Sequence, residues 1–277
     1  MSDEATAFVP GHVTAFFSAH PAPEPAVAGS RGAGIALDDG VRVTVRPAAE
    51  TRTILDGDPA DVEPVGTVLE RLGVMATVEA DSDLPVGAGF GVSGAAALGT
   101  ALAANAAFDC GRSENELIRL AHVAEVEAGT GLGDVVAQAR GGVPVRLDSG
   151  APGQGFLDGV PARPRIEYVS FGGLSTAAVL DGDTTDLTAA GDRALSALRE
   201  EPTLPTLLAE SRRFAREADL LTERVTEAVD AVLDAGGEAA MAMLGETVFA
   251  LGTGLTDAGY DAVACDTHPA GATVVEE

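Results

Sequence analysis

The chain has 277 residues, enough for one large domain or two modest ones, and 46% of them are apolar, ample for a packed core. Its net charge is −26; all 17 basic residues are Arg and there is no Lys anywhere. So acidic a surface repels nucleic acid and anionic lipid, and a chain without Lys excludes a Walker-type P-loop, a Schiff base and a lysine general base.

The acidic residues are scattered rather than blocked, as on a solvated surface, and the total suits a halophile whose concentrated salt screens self-repulsion. Cys110 and Cys265 lie far apart without metal-ligand spacing and read as reduced core residues, in keeping with a cytoplasmic setting. The opening MSDEATAF lacks the basic stretch of a signal peptide, and no apolar run reaches the roughly 18–20 residues that span a bilayer.

In chain order, Ala5–Val9 reads as a short strand ended by Pro10-Gly11. Ile35–Leu37 and Val41–Val45, separated by Asp38-Asp39-Gly40, read as a hairpin. A short helix is expected over Val65–Leu72 and a strand over Met75–Ala80. From Gly94 to Phe108 only Thr100 and Asn105 are polar, the pattern of a helix buried on all sides. Ser113-Glu114-Asn115-Glu116 has capping-box spacing and starts a helix to about Ala128. Gly129–Gly133 breaks it, Asp134–Ala139 is a short helix, and Val143–Leu147 is a strand. The Gly/Pro-rich stretch Ser149–Pro164 is the best domain boundary, dividing 1–160 from 161–277. Strands at Ile166–Phe171 and Thr176–Leu180 follow, then helices near Leu187–Arg199 and over Thr206–Ala235. Strands and helices in both halves make the class α+β.

The densest signal is Gly87-Ala88-Gly89-Phe90-Gly91-Val92-Ser93-Gly94, with four glycines in eight residues at the mouth of the buried helix. The first N–H groups of such a helix are unpaired and carry partial positive charge, and glycines let an anion approach closely, so the loop suits phosphate. Gly89 to Gly94 also fits G-x-G-x-x-G, but the Rossmann context fails: the preceding strand ends early, and Asp109 sits between helices rather than at the end of a second strand. Ser93 could ligate Mg²⁺ beside the phosphates or act as an N-cap; the local pattern is compatible with both.

Pro85 to Ala95 resembles the phosphate motif P-x-G-x-G-L-G-S-S-A-A of the GHMP small-molecule kinases, departing at Phe90, Val92 and Gly94. Val9-Pro10-Gly11-His12-Val13 resembles the family's A-P-G-K-V, with His12 where many members carry Lys. The third family motif falls near Ala242–Thr247 and is degraded. Four segments, Pro10–Phe17, Ala28–Gly34, Gly129–Gln138 and Met243–Phe249, together resemble the archaeal pantoate kinase subgroup.

The resemblance implies a two-lobed GHMP kinase fold, with an N-terminal lobe like ribosomal protein S5 domain 2 and a ferredoxin-like C-terminal lobe. It implies ATP and Mg²⁺ as cofactors, and phosphorylation of pantoate in coenzyme A synthesis. ATP and pantoate are then the partners, with a homodimer left open. Two rivals are a GHMP kinase for another alcohol (mevalonate, shikimate or homoserine) and a non-catalytic nucleotide-binding regulator.

By the same resemblance, Gly87, Ala88, Gly89, Phe90, Gly91, Val92, Ser93 and Gly94 hold the ATP phosphates, and Ser93 and Glu125 hold Mg²⁺. Glu127 is the alternative acid, but two residues along a helix it points elsewhere. Asp134, which could also be a plain N-cap, is implied to face the acceptor hydroxyl as base or positioning group. For substrate, His122 shares a helix face with Glu125. Arg146, in an apolar strand, can hold a carboxylate with two parallel hydrogen bonds. Ser30 lies in a glycine-rich loop able to close on substrate, and Arg31 beside it is a weaker candidate.

Overall fold

The computed structural model describes residues 4–173 and 182–275. Its first sheet has eight strands, built on one long antiparallel pair. β1 (Ala5–His20) runs against β2 (Gly29–Pro47) from Ala5↔Val45 to His20↔Gly29. The expected strand break at Pro10-Gly11 and hairpin at Asp38-Asp39-Gly40 are one feature seen from two strands. Pro10 pairs Gly40 and Gly11 pairs Leu37, so Asp38-Asp39 are the surplus residues of a bulge in a continuous strand. A bulge also accommodates a proline, which has no N–H to give to the ladder.

β2 then serves two neighbours. Its C-terminal half pairs β5 (Ala76–Ser82), which continues through β3 (Arg52–Leu55) to β4 (Asp58–Ala60). Its N-terminal end pairs β6 (Val143–Asp148), which pairs β7 (Phe156–Val160). β7 lies inside the stretch read as a linker. Short, half-exposed β3, β4 and β7 owe their strand state to edge pairing rather than to pattern.

The expected buried helix is α2 (Val92–Ala107), packed against β1 and β2 with α1 (Glu63–Leu72) and α3 (Glu114–Ala128) beside it. It packs so closely that a side chain at Gly99 would overlap Val43 of β2. Ser113 and Glu116 form the expected capping box of α3. α4 (Asp134–Arg140) follows.

The second sheet has four antiparallel strands in the order β11-β8-β10-β9, from β8 (Arg165–Gly173), β9 (Ala239–Ala242), β10 (Gly245–Leu251) and β11 (Val263–Asp266). Helices α6 (Leu204–Glu217) and α7 (Glu223–Asp234) pack beside it, α5 (Thr185–Glu200) packs on β1, β2 and α6, and α8 is the single turn Gly254–Asp257. The long helix expected over Thr206–Ala235 is α6 and α7. Asp219 takes φ 53° between them, and the Thr222 side chain accepts from Val225 N–H to cap a new start. The expected strand Thr176–Leu180 lies outside the described residues. β12 (Thr273–Val275) returns to the first sheet beside β1, and Thr14 of β1 forms a bridge with Met243 just after β9. The two sheets are thus stitched together next to the glycine loop.

The core follows the composition. Ala, Val and Leu fill most of it, with Phe16, Phe90, Phe214 and Phe249 fully buried. Both cysteines are free thiols. Among the described residues no helix is long and apolar enough to cross a membrane.

Candidate active site

A cleft of about 380 Å³ opens where the glycine loop, the α3–α4 turn, β1, β6 and the β9–β10 turn meet. Its floor is the start of α2. Gly91 is the N-cap with φ 67°, and Gly87 and Gly89 also take positive φ, 76° and 90°, which explains the glycine density. No side chain caps the first turn, and no acidic residue lies in it. The amides of Val92, Ser93 and Gly94 therefore face the cleft without a side-chain partner. An anion is the complement of that arrangement.

The degraded third motif braces this loop from behind. Thr247 Oγ1 donates to Ala88 O at 2.8 Å, and Gly245 packs so tightly that any Cβ would overlap the Ala88 carbonyl. Its preceding residues, Met243 and Leu244, turn into the cleft as an apolar wall.

Ser93 is not the N-cap. Its hydroxyl donates to Glu125 Oε1 at 2.6 Å across the α2–α3 interface. Glu125 is 3% exposed; burial, outweighing the hydrogen bonds from Ser93 and Thr130, pushes its carboxyl up to about 7. A buried acid paired with a hydroxyl and titrating near neutrality is poised to gain a cation. Glu127, the alternative, is exposed and pairs with Arg71 at 2.5 Å.

Asp134 begins α4 after the N-cap Gly133 and caps nothing. Its Oδ1 accepts from His12 Nδ1 at 2.8 Å and from Thr14 Oγ1 at 3.4 Å. Burial works to raise its pKa, but these bonds and the nearby Arg146 outweigh it, so the carboxylate is held below its usual range. Burial dominates at His12 and keeps the imidazole neutral.

Arg146 comes from β6 and is 2% exposed. Burial pulls its pKa below the usual guanidinium range while Asp134 opposes that. Its Nε and Nη1 have no hydrogen-bond partner. A buried guanidinium with two idle donors is costly unless an anion joins it. Gly133 shows how closely the groups converge: a Cβ there would overlap both Ser30 Oγ and Arg146 Nε. Ser30 and Arg146 therefore meet at one end of the cleft, beside Gly133, and the loop with Ser93 forms the other; Asp134 and Glu125 lie between them, both near Gly131.

Two expected substrate residues do not line the cleft. His122 is buried behind the start of β2, with Nε2 at 2.9 Å from Ala28 O, because its helix face points there rather than at the opening. Arg31 turns outward to Asp148, at 3.4 Å. Ser30, expected in a loop able to close, sits instead in β2, paired with Ala19. Next to β-strand pairing at Ser30, alternation sends the neighbouring side chain to the other face. Sequence reasoning passed over Thr14, Phe17, Leu132 and the apolar wall. Thr14, Phe17 and Leu132 lie in the segments Pro10–Phe17 and Gly129–Gln138 that carry the resemblance, and Met243 and Leu244 in the third motif, but only their meeting in space gives them a place in the cleft.

The description "GHMP kinases N terminal domain" matches residues 63–142, the span that carries the loop, Ser93, Glu125 and Asp134. A pantoate kinase of Thermococcus kodakarensis is 38% identical over 88% of this chain and 86% of its own length. The chain belongs to the pantoate kinase family of GHMP kinases. A second pantoate kinase, of Methanospirillum hungatei, is 33% identical over 89% of this chain and 87% of its own. A solved structure described as a phosphotransferase related to the coenzyme A biosynthesis pathway superposes with TM-score 0.87 at 30% identity, covering 98% of both chains. The likeness to that kinase thus runs through both sheets, not only through the matched N-terminal span.

Proposed function

We propose that the protein transfers the γ-phosphoryl group of ATP to the primary hydroxyl of (R)-pantoate, releasing ADP and 4-phosphopantoate for coenzyme A synthesis. The observation that carries the reading is Arg146, buried, unpartnered at Nε and Nη1, and converging with Ser30 within reach of Asp134. Pantoate is a carboxylate with a branched apolar middle and a terminal hydroxyl. Arg146 and Ser30 supply donors for the carboxylate, and Phe17, Leu132 and Met243 supply apolar surface for the two methyl groups.

At the other end, the amides of Val92, Ser93 and Gly94 bind the phosphate tail. Ser93 Oγ and the Glu125 carboxylate are the residues that would hold Mg²⁺. The fit rests on two oxygen ligands 2.6 Å apart, one on a buried acid. Among the described residues no cluster of three or more His, Cys, Asp or Glu side chains could hold a metal. That agrees with an ion that takes one or two protein oxygens and completes its shell with phosphate and water. When bound, the ion neutralises charge on the transferring phosphoryl group. Asp134 orients the acceptor hydroxyl and receives its proton as the oxygen attacks phosphorus. The acidic, Lys-free surface supports a setting of concentrated salt, and this reading takes the enzyme to be cytoplasmic.

A panel of pantoate, mevalonate, shikimate and homoserine, with ATP, Mg²⁺ and high KCl, tests the reading. Acceptor-dependent ADP release with pantoate and little with the others is expected. Strong turnover of another alcohol with none of pantoate rejects the substrate. No turnover with any acceptor, alongside nucleotide binding, favours a regulator.

A further inference from the structure

His12 sits in the middle of β1, is fully buried, and lies 122 residues from the acid it touches. Its position matters because Asp134 has two oxygens and only one can be spent on the fold. Oδ1 is taken twice, by His12 Nδ1 at 2.8 Å and by Thr14 Oγ1 at 3.4 Å. Oδ2 has no hydrogen-bond partner among the described residues and lies on the side of Gly131, which lines the cleft beside Glu125. Facing an ionised carboxylate, a neutral imidazole must place its single proton on the nitrogen in contact. That makes Nδ1–H the donor and leaves the lone pair on Nε2. Nε2 is buried and without a partner, and Gly34 packs against it so closely that any Cβ would overlap it. The ring is therefore locked by packing on one side and by one hydrogen bond on the other.

We propose that His12 is a positioning residue for Asp134: with Thr14 it pins Oδ1 and thereby presents Oδ2 to the acceptor hydroxyl. The inference rests on the reading of Asp134 as the group that meets that hydroxyl. It goes further by assigning each carboxylate oxygen a task and by fixing the tautomer of a residue that stands where many relatives carry a cation. A neutral donor in this place leaves Asp134 with its full negative charge, whereas a lysine would offset it.

Two measurements test it. In the intact wild-type chain with ¹⁵N-labelled histidine, nuclear magnetic resonance should find His12 with Nδ1 protonated and Nε2 bare at neutral pH. An Nε2–H tautomer, or an imidazolium, overturns the proposal without any mutation. In kinetics, His12→Asn keeps an N–H where Nδ1 was, while His12→Gln moves it to the place of Nε2. The Gln variant should lose kcat by roughly 10²-fold, the scale of a misplaced reacting group. The KM for ATP should stay unchanged, and the Asn variant should keep a kcat roughly tenfold or more above that of the Gln variant. Equal rates in both variants overturn the proposal. Asp134→Asn run alongside separates the two ideas: if it stays active the reading of Asp134 fails, and if it is dead while the Asn and Gln variants match, only the positioning role fails.

Discussion

The two ends of the cleft are built from different materials. The end proposed for phosphate is backbone: amides of α2, positive-φ glycines, and a brace in which Gly245 and Thr247 press on the Ala88 carbonyl. The end proposed for the acceptor is side chain: His12, Thr14, Ser30, Asp134 and Arg146, converging from β1, β2, α4 and β6. Backbone cradles bind any phosphate tail and say little about the partner substrate. Buried charged side chains, costly unless matched, select the acceptor. The comparison predicts opposite weaknesses: the acceptor end fails when a charge is removed, the phosphate end when an atom is added.

The largest effect should come from Asp134→Asn, which keeps size and removes the charge. We expect kcat to fall on the order of 10²- to 10⁴-fold with nucleotide affinity unchanged, read by steady-state kinetics and nucleotide titration. A parallel loss of ATP binding would merge the two ends and weaken the contrast. Next is Arg146→Met, which removes the idle donors while roughly keeping volume. The KM for pantoate should rise roughly 10- to 100-fold, the scale of hydrogen bonds to a charged group. The ligand-free protein should melt no lower than wild type, because an unpaired buried charge has gone.

Glu125 lies at the seam between the ends. Its carboxyl is held up at about 7 against an ordinary 4.5, so between those values the folded chain keeps a proton that the unfolded chain has released. Stability from this group is full below about 4.5 and is lost as pH rises through about 7. Glu125→Gln, uncharged throughout, should therefore be more stable than wild type at pH 8 in the presence of a chelator, by up to about 3 kcal/mol. The difference should fade toward pH 4.5 in thermal melts; an offset independent of pH would contradict the assignment. The smallest effect is that of Gly245→Ala. One added carbon against Ala88 should cost about 1–3 kcal/mol of stability. It should also weaken ATP binding without changing the preference among acceptors, measured by melting and by the substrate panel.

The same division decided what could be read from sequence. The glycine loop and its helix were legible because their parts are local: eight consecutive residues hold the loop, and an all-apolar run announces the helix behind it. The capping box of α3 was legible for the same reason, since Ser113 and Glu116 satisfy each other within one turn. The acceptor end was legible only as single residues. Nothing near His12 in the chain announces Asp134, and nothing near Gly133 announces Ser30 and Arg146; those contacts exist because the start of α4 packs on β1 and on the paired strands β2 and β6. Strand pairing also overrode local signals elsewhere. Asp38-Asp39-Gly40 is a good turn sequence, yet the continuous partner β1 turned it into a bulge. His122 shares a helix with Glu125 but not its environment, because Ala28 and the start of β2 cover that part of the helix.

A crystal structure of the enzyme with pantoate and a non-hydrolysable ATP analogue tests the division of labour most directly. The account predicts the pantoate carboxylate on Arg146 and Ser30, its primary hydroxyl at Asp134 Oδ2, and the phosphate tail on the amides of Val92, Ser93 and Gly94. Pantoate bound with its carboxylate elsewhere, and Arg146 still without an anion, would contradict it.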